Sequence, residues 1–408
     1  MAVPVHELDL PELDLARAHR GPDARRTTAE LADQGWLIRN AFGYVLPRQE
    51  DCVAVLKDRR WYQASRLLAQ MSNITDERYL ARQERKSILS MEGDEHQRLR
   101  RLVAGAFTPR AAERYRPFMR KIVNELIDPV ARSGRCEFVT DVCEPYPIHI
   151  ICELLGAPAE DWPLFSRWAS SIFKNFNDDL ADHIDEVIAA GEELDAYMLD
   201  LIESRRGEQR DDLLSDLIAA EEEGEKLSNA ELVMMAEAVL LAGTDTTRNQ
   251  LACALATFVD HPDQWALLAE QPELAARATE ESFRYLGAVR GTGRFASADI
   301  EYREVLFPAG TLVFPSFVGA NHDTDLYTDP ESFDITVDRG RVGHLTLGFG
   351  VHFCMGANLA RAEMQEALLI LARRMPNLRL DGEITWKPDG VGIWGPARLP
   401  LAFDPVSH

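Results

Sequence analysis

Cys354 carries more potential chemistry than any other residue of this chain. It stands in Leu347-Gly348-Phe349-Gly350-Val351-His352-Phe353-Cys354-Met355-Gly356-Ala357, with a helical pattern opening just behind it at Asn358. Gly348, Gly350 and Gly356 permit positive φ angles and the close approach of a bulky flat ligand. Exposed N–H groups and the positive end of the helix dipole favour an anion at the sulfur. A thiolate held there is a nucleophile or a metal ligand, against the plainer alternative of a buried core thiol. A second concentration of chemistry lies at Ala242-Gly243-Thr244-Asp245-Thr246-Thr247. Gly, Asp and Thr are poor interior helix residues, and an unpaired buried Asp is costly. The segment predicts a local helix distortion, Thr hydroxyls bonded to backbone carbonyls, and a pocket of water. A titratable acid joined to water by hydroxyls is what a proton relay needs, although a satisfied polar kink would have the same composition.

Together the two segments resemble the cytochrome P-450 superfamily. The first is similar to its haem-ligand loop, F-G-x-G-x-[HR]-x-C-x-G, at every position but the first, where Leu347 replaces Phe. The second matches the [AG]-G-x-[DE]-T-[TS] motif of that family's central helix. The resemblance implies haem b bound through Cys354, with Leu347, an apolar neighbour of the sulfur, tuning the iron. It makes Asp245 the acid and Thr246 the alcohol that steer protons to dioxygen, with Ala242 and Gly243 leaving room for it. Gly348 and Gly356 belong to the cofactor loop.

Further constellations follow the same resemblance. His96 and Arg100 stand one helical turn apart. With Arg294 and His352 they match propionate-binding positions, and four donors for two carboxylates is sensible chemistry. Glu281 and Arg284 match the family's E-x-x-R pair. Its usual third partner is missing, because the chain reads Pro330-Glu331-Ser332-Phe333; Arg339 and His322 are the candidates to replace it. Arg98, Arg101, Arg110 and Arg114 put positive charge on an otherwise acidic chain. They form either a solvated helix face or a docking surface for a small acidic iron–sulfur donor.

The elements that must position these groups are mostly helical. Apolar periodicity predicts helices over Ala111–Ala131, Pro147–Leu155, Asp161–Phe173, Ala181–Ser204, Ser228–Val259, Pro272–Leu286 and Ala357–Arg374. Ser228 and Glu231 form a capping box that opens the longest, of about 30 residues, which is apolar enough to be buried on most sides. Strand signals fall at Ile300–Tyr302, Val305–Phe307 and Thr311–Val318, the last two joined as a hairpin by Pro308-Ala309-Gly310. The expected fold is mainly α with a small β region between residues 295 and 320. It forms one large P-450-type domain over residues 1–408, crossed by a long central helix.

Composition narrows the partners. The chain has 408 residues, with Asp+Glu 67 against Lys+Arg 44 and a formal net charge of −23. That balance argues against nucleic acid or an anionic membrane surface. The N-terminus, studded with Glu7, Asp9, Glu12, Asp14 and Arg17, does not read as a signal peptide. The most apolar run, Leu232 to Leu241, is short and contains Glu237, so no membrane span is expected. Cys52, Cys136, Cys143, Cys152 and Cys253 lack zinc-type spacing and read as core thiols in a reducing, cytoplasmic setting.

The resemblance implies a soluble bacterial monooxygenase, monomeric, that hydroxylates or epoxidises a small hydrophobic organic substrate with dioxygen. Electrons would come from a separate ferredoxin-type donor and an NAD(P)H-dependent ferredoxin reductase, since no redox domain is fused. Candidate substrate contacts are Ala238, Leu241, Arg290, Phe173 and Trp394. The aromatics Trp162, Phe165, Trp168 and Phe176 are candidates for a lid or a core stripe, and Met71 and Tyr79 for the pocket wall. Arg290 would either anchor a substrate carboxylate or turn toward a propionate or solvent. Rival readings are a peroxide-driven peroxygenase, disfavoured by Asp245 and Thr246, and a non-catalytic haem ligand carrier. A cysteine-nucleophile hydrolase would need an oxyanion hole and an orienting acid that the sequence does not supply.

Overall fold

The structure is a computed structural model, described for residues 2–406 apart from 14–23, 25–27, 29, 31, 68–73, 86, 177–178, 209, 211, 221–227, 340–342 and 389–392. Its helices are α1 Gln49–Lys57, α2 Glu77–Glu84, α3 Gly93–Val103, α4 Pro109–Ala131, α5 Pro145–Leu155, α6 Trp162–Phe173 and α7 Leu180–Arg205. They continue with α8 Leu213–Ala220, α9 Asn229–Asp260, α10 Pro262–Glu270, α11 Ala275–Tyr285, α12 Phe317–Asn321 and α13 Ala357–Arg374. The strands are β1 Val3–Pro4, β2 Ile38–Arg39, β3 Tyr44–Leu46, β4 Trp61–Gln63, β5 Arg135–Glu137, β6 Arg294–Ala296 and β7 Ile300–Tyr302. Then follow β8 Val305–Phe307, β9 Leu312–Pro315, β10 Arg379–Leu380, β11 Thr385–Trp386, β12 Pro396–Arg398 and β13 Pro400–Ala402.

Helix α9 runs 32 residues, about 48 Å at 1.5 Å per residue. Ser228 caps it, accepting from the Glu231 N–H while the Glu231 side chain reaches back to the cap, so orphan donors at its start are satisfied. Its apolar residues are buried on several sides, against α5, α6, α7, α11 and α13. Fully buried side chains such as Phe258 and Leu255 each contribute about 1.5–3 kcal/mol through removal from water. Helix α4 opens with Thr108 as N-cap and Pro109 in the first turn, where a missing N–H costs nothing. It packs along α13 and so holds the helix that begins behind Cys354.

The β structure departs from expectation in two ways. Val305–Phe307 and the next strand are not a hairpin. β8 instead turns back on β7 through Arg303 and Glu304, both at positive φ (48° and 60°), a two-residue turn whose twist suits paired strands. β9 lies in a different, five-stranded sheet of order β2-β3-β9-β6-β4 and stops at Pro315; Val318 is helical in α12, whose N-cap Ser316 accepts from the Gly319 N–H. Nor is the β region confined to residues 295–320, since segments near both chain ends contribute to sheets β1-β8-β7, β10-β13-β5 and β11-β12. Pro272–Leu274 is a 3-10 turn, so α11 proper begins at Ala275. No helix among the described residues is long and apolar enough to cross a membrane.

Candidate functional site

The Cys354 loop leaves α11 and β9 behind and ends on α13. Gly348 and Gly350 both take φ of 71°, and a Cβ at Gly350 would sit 2.0 Å from the Leu56 carbonyl oxygen, so glycine is required there. Gly356 differs from expectation: its φ is −79°, and it serves as the N-cap of α13, with space for a Cβ 4.0 Å from Cys354 Sγ. The Leu347 carbonyl accepts from the Cys354 N–H at 2.9 Å, and the Leu347 side chain packs on the main core. The sulfur is not a ready thiolate. Burial pushes the Cys354 thiol up, outweighing the Gly356 N–H and the Arg100 and Arg361 charges that pull it down. A bound cation would reverse that balance, because a coordinating thiol is deprotonated outright.

Helix α3 brings His96 to the loop, its ring centroid 4.4 Å from that of His352. Arg100 Nη2 donates to the Phe353 carbonyl at 2.8 Å. Arg294, on β6, is buried and donates through Nη1 to Gln63 and Thr292. Glu92, at the start of α3, was not anticipated. Its Oε2 lies 3.0 Å from His352 Nε2, and its Oε1 accepts from the Gln63 N–H at 2.8 Å. Burial alone would raise Glu92, but His352 and Arg294 hold it below the usual carboxylate value. The corner therefore already draws one carboxylate. Burial, then His352 and Arg100, push His96 down to about 4, a cost that an arriving anion would relieve.

The polar stretch of α9 is an unbroken α-helix, contrary to the expected distortion. Thr244 and Thr246 hydroxyls donate to the Leu240 and Ala242 carbonyls at 3.0 and 2.6 Å, absorbing the polar groups without opening the helix. The buried Asp245 is paired, with Arg248 Nη2 at 2.7 Å and Lys387 Nζ at 3.5 Å. Arg248 stands three residues on, on the same helix face; Lys387, just beyond the end of β11, carries no sequence signal. Gly243, expected to leave room for dioxygen, faces α5 instead. A Cβ there would meet Ile151 Cδ1 at 2.3 Å, so Gly243 serves the packing of α9 on α5. Nearby Glu363 on α13 is fully buried, its Oε2 unpartnered and burial pushing it far up.

A cavity of about 1940 Å³ lies along α9, lined by Ala238, Leu241, Ala242 and Thr246 and opposite them by Phe173, Arg290 and Phe314. Asp245 is not among its lining residues. Trp394 does not line it either: it is buried, stacked on Trp386 at 4.5 Å, and carries the Arg290 guanidinium 4.2 Å over its other face, while Ile393 reaches the cavity. Phe165 and Trp168 pack with Tyr197 between α6 and α7 as core, and Tyr79 is buried with its hydroxyl on Asn175. Met71 lies outside the described residues. One wall is polar: Arg82 bridges Asp195 at 2.8 Å and Glu237 at 2.6 Å, and burial raises Glu237 against the pull of Arg82. Of the basic residues on α3 and α4, Arg98 is engaged with Glu231, whereas Arg101 and Arg110 are exposed.

Below the loop, Arg339 fills the place of the missing arginine, donating to both oxygens of Glu281; Arg284 adds the Pro330 and Ser332 carbonyls at 2.7 Å each. His322 turns instead to Glu331 and the Tyr285 carbonyl.

One sulfur at a helix start, cationic side chains suited to two carboxylates, and a large cavity along a long helix fit a flat dicarboxylate cofactor ligated through sulfur. The comparisons agree. Residues 154–380 match the family Cytochrome P450. Luteothin monooxygenase of Streptomyces thioluteus is 36% identical, covering 97% of this chain and 96% of that protein. Mycinamicin IV hydroxylase/epoxidase of Micromonospora griseorubida is 36% identical over 93% and 92%. The crystal structure of CalO2 superposes with a TM-score of 0.87 at 28% identity, covering 97% of this chain and all of that one. The chain belongs to the cytochrome P450 superfamily. It is a haem b monooxygenase, an oxidoreductase that works with dioxygen, an organic substrate and redox partners.

Proposed function

We propose that this P450 hydroxylates or epoxidises a small, largely hydrophobic organic molecule seated along α9. The observation that carries the substrate class is the cavity itself, whose wall includes Ile172, Phe173, Leu199, Met234 and Leu241 among polar residues from several elements. When bound, haem supplies dioxygen activation and oxygen insertion. Cys354 is the residue that would hold its iron, and His96, Arg100, Arg294 and His352 its carboxylates. Leu347, Gly348 and Gly356 shape the loop beneath it, and Ala242 keeps the cavity side of α9 open.

Asp245 and Thr246 are read as the proton-delivering pair. Thr246 lines the cavity, so a proton presented there can be renewed through Asp245, whose carboxylate takes one up from water and passes it on. Ala238 and Leu241 contact substrate, and Phe173 closes the pocket from α6. Arg290 shapes the wall from its seat on Trp394 rather than pairing with a substrate carboxylate. We read residues 1–408 as one domain, a monomer of the reducing cytoplasm, as its free cysteines suit. A ferredoxin-type donor, itself reduced by an NAD(P)H-dependent reductase, would dock on the face carrying Arg101 and Arg110. A ligand screen that follows the low-spin to high-spin transition, with product analysis of the hits, tests the substrate class. Hits confined to highly polar molecules would refute it.

A further inference from the structure

We propose that Lys387 is a positioning residue for Asp245, set in place by the β11–β12 hairpin; the proposal rests on the proton-delivery reading of Asp245 and Thr246. Adjacent helical residues point about 100° apart. Thr246 therefore faces the cavity with Ala238 and Ala242, while Asp245 faces the hairpin. Which way its carboxylate leans depends on the cations that hold it.

Those cations are unequal. Arg248 lies on the same helix, shares its charge with Glu144 at 3.3 Å, and leaves its buried Nε without a partner. Left alone, it would draw the carboxylate along α9 toward residue 248. Lys387 comes from a separate element, and among the described residues Asp245 is the carboxylate it pairs with. Burial lowers the Lys387 ammonium below its ordinary value, and the neighbouring Asp245 carboxylate offsets part of that fall.

The hairpin is fixed on both sides. Trp386 and Trp394 stack at 4.5 Å with 2° between planes; the Trp394 indole N–H donates to the Lys387 carbonyl at 3.2 Å, and the Lys387 N–H to the Gly395 carbonyl at 3.0 Å. Gly395 lets the hairpin touch α9, since a Cβ there would lie 2.9 Å from Asn249 Oδ1. Asn249 in turn donates to the Asp245 carbonyl at 2.7 Å. On the far face of Trp394 sits Arg290, which lines the cavity. Lys387 is thus held at a fixed height over the acid by the same stack that backs the cavity wall.

The test compares the wild-type holoprotein with Lys387→Met and Lys387→Arg. The readout is the fraction of NAD(P)H electrons recovered in product rather than hydrogen peroxide, beside haem content and substrate affinity from the spin-state titration. Lys387→Met should lower the product fraction about fivefold or more with affinity within about twofold of wild type, and Lys387→Arg should restore most of it. A product fraction unchanged in Lys387→Met, or one lost equally in Lys387→Arg, overturns the proposal. A second readout needs no turnover. Acetylation of Lys387 at neutral pH, followed by peptide mass spectrometry, should speed up several-fold in Asp245→Asn, because an amine that loses its counter-ion is less often protonated. No change there means that the ion pair does not form in solution and also overturns it. Failure of the proton-delivery reading is told apart by Asp245→Asn itself, which would then leave product formation intact.

Discussion

Arg339 holds both oxygens of Glu281, Nε on Oε2 at 2.9 Å and Nη2 on Oε1 at 2.7 Å, with Arg284 bound to the same carboxylate. Arg339 thus replaces the arginine absent from Pro330–Phe333. Glu281 keeps Arg284 when Arg339 is removed, so Arg339→Leu should lower the unfolding free energy by about 1.5–3 kcal/mol, the scale of hydrogen bonds lost from a charged group, and Arg339→Lys by less. Urea unfolding of the holoprotein checks this.

Acid stability follows from the same group. Burial raises Glu281, but Arg284 and Arg339 win and hold it at about 2, below its ordinary 4.5. Glu280 is likewise held at about 2, with His344 and Arg361 overcoming burial. Both carboxylates have lowered folded values, so their stabilisation is complete above pH 4.5 and is lost as pH falls through about 2. The slope of stability against pH in that window should flatten in Arg339→Leu. An identical slope would mean that Arg339 does not hold the carboxylate.

Asp245→Asn keeps the shape of the acid but removes its titration. Product formation should fall on the order of 100-fold, the usual scale of a lost proton-transfer group. Substrate should still produce the spin-state change, because Asp245 does not line the cavity. Steady-state turnover and a binding titration on one preparation separate the two.

Arg290 over Trp394 makes a prediction about substrate charge. Arg290→Leu should weaken binding of a carboxylic acid and its methyl ester alike, since the guanidinium shapes the wall. A loss confined to the acid would restore the carboxylate-anchor reading.

Arg101 and Arg110 are exposed, whereas Arg98 is spent on Glu231. Charge reversal at Arg101 or Arg110 should slow reduction by the donor about tenfold at low salt, and less at high salt, with substrate binding unchanged. Stopped-flow reduction at two ionic strengths reads this directly.

How much of this was legible in the sequence depends on range. Helix α13 was readable to its end residues, Ala357 and Arg374, because a glycine-rich entry and continuous periodicity mark it locally. The capping box placed the start of α9 within one residue. β7 and β8 were readable at their bounds, but the other strands of two or three residues were not, since their pairing is with distant segments: β1 finds β8, and β5 finds β13. Asp245 was evident as a buried acid, but its partner Lys387 was not, because a lone lysine after a tryptophan carries no pattern. Trp394 and Tyr79 were placed at the cavity by position, and packing against Trp386 and Asn175 moved them behind it.

The claim that Cys354 would hold the haem iron through its sulfur is central. Its most direct test is the absorption spectrum of the carbon monoxide complex of the reduced protein, in wild type and in Cys354→His. Thiolate ligation predicts a strongly red-shifted Soret band in the wild type that is absent from the variant. A variant that binds haem and keeps the shift would contradict the account.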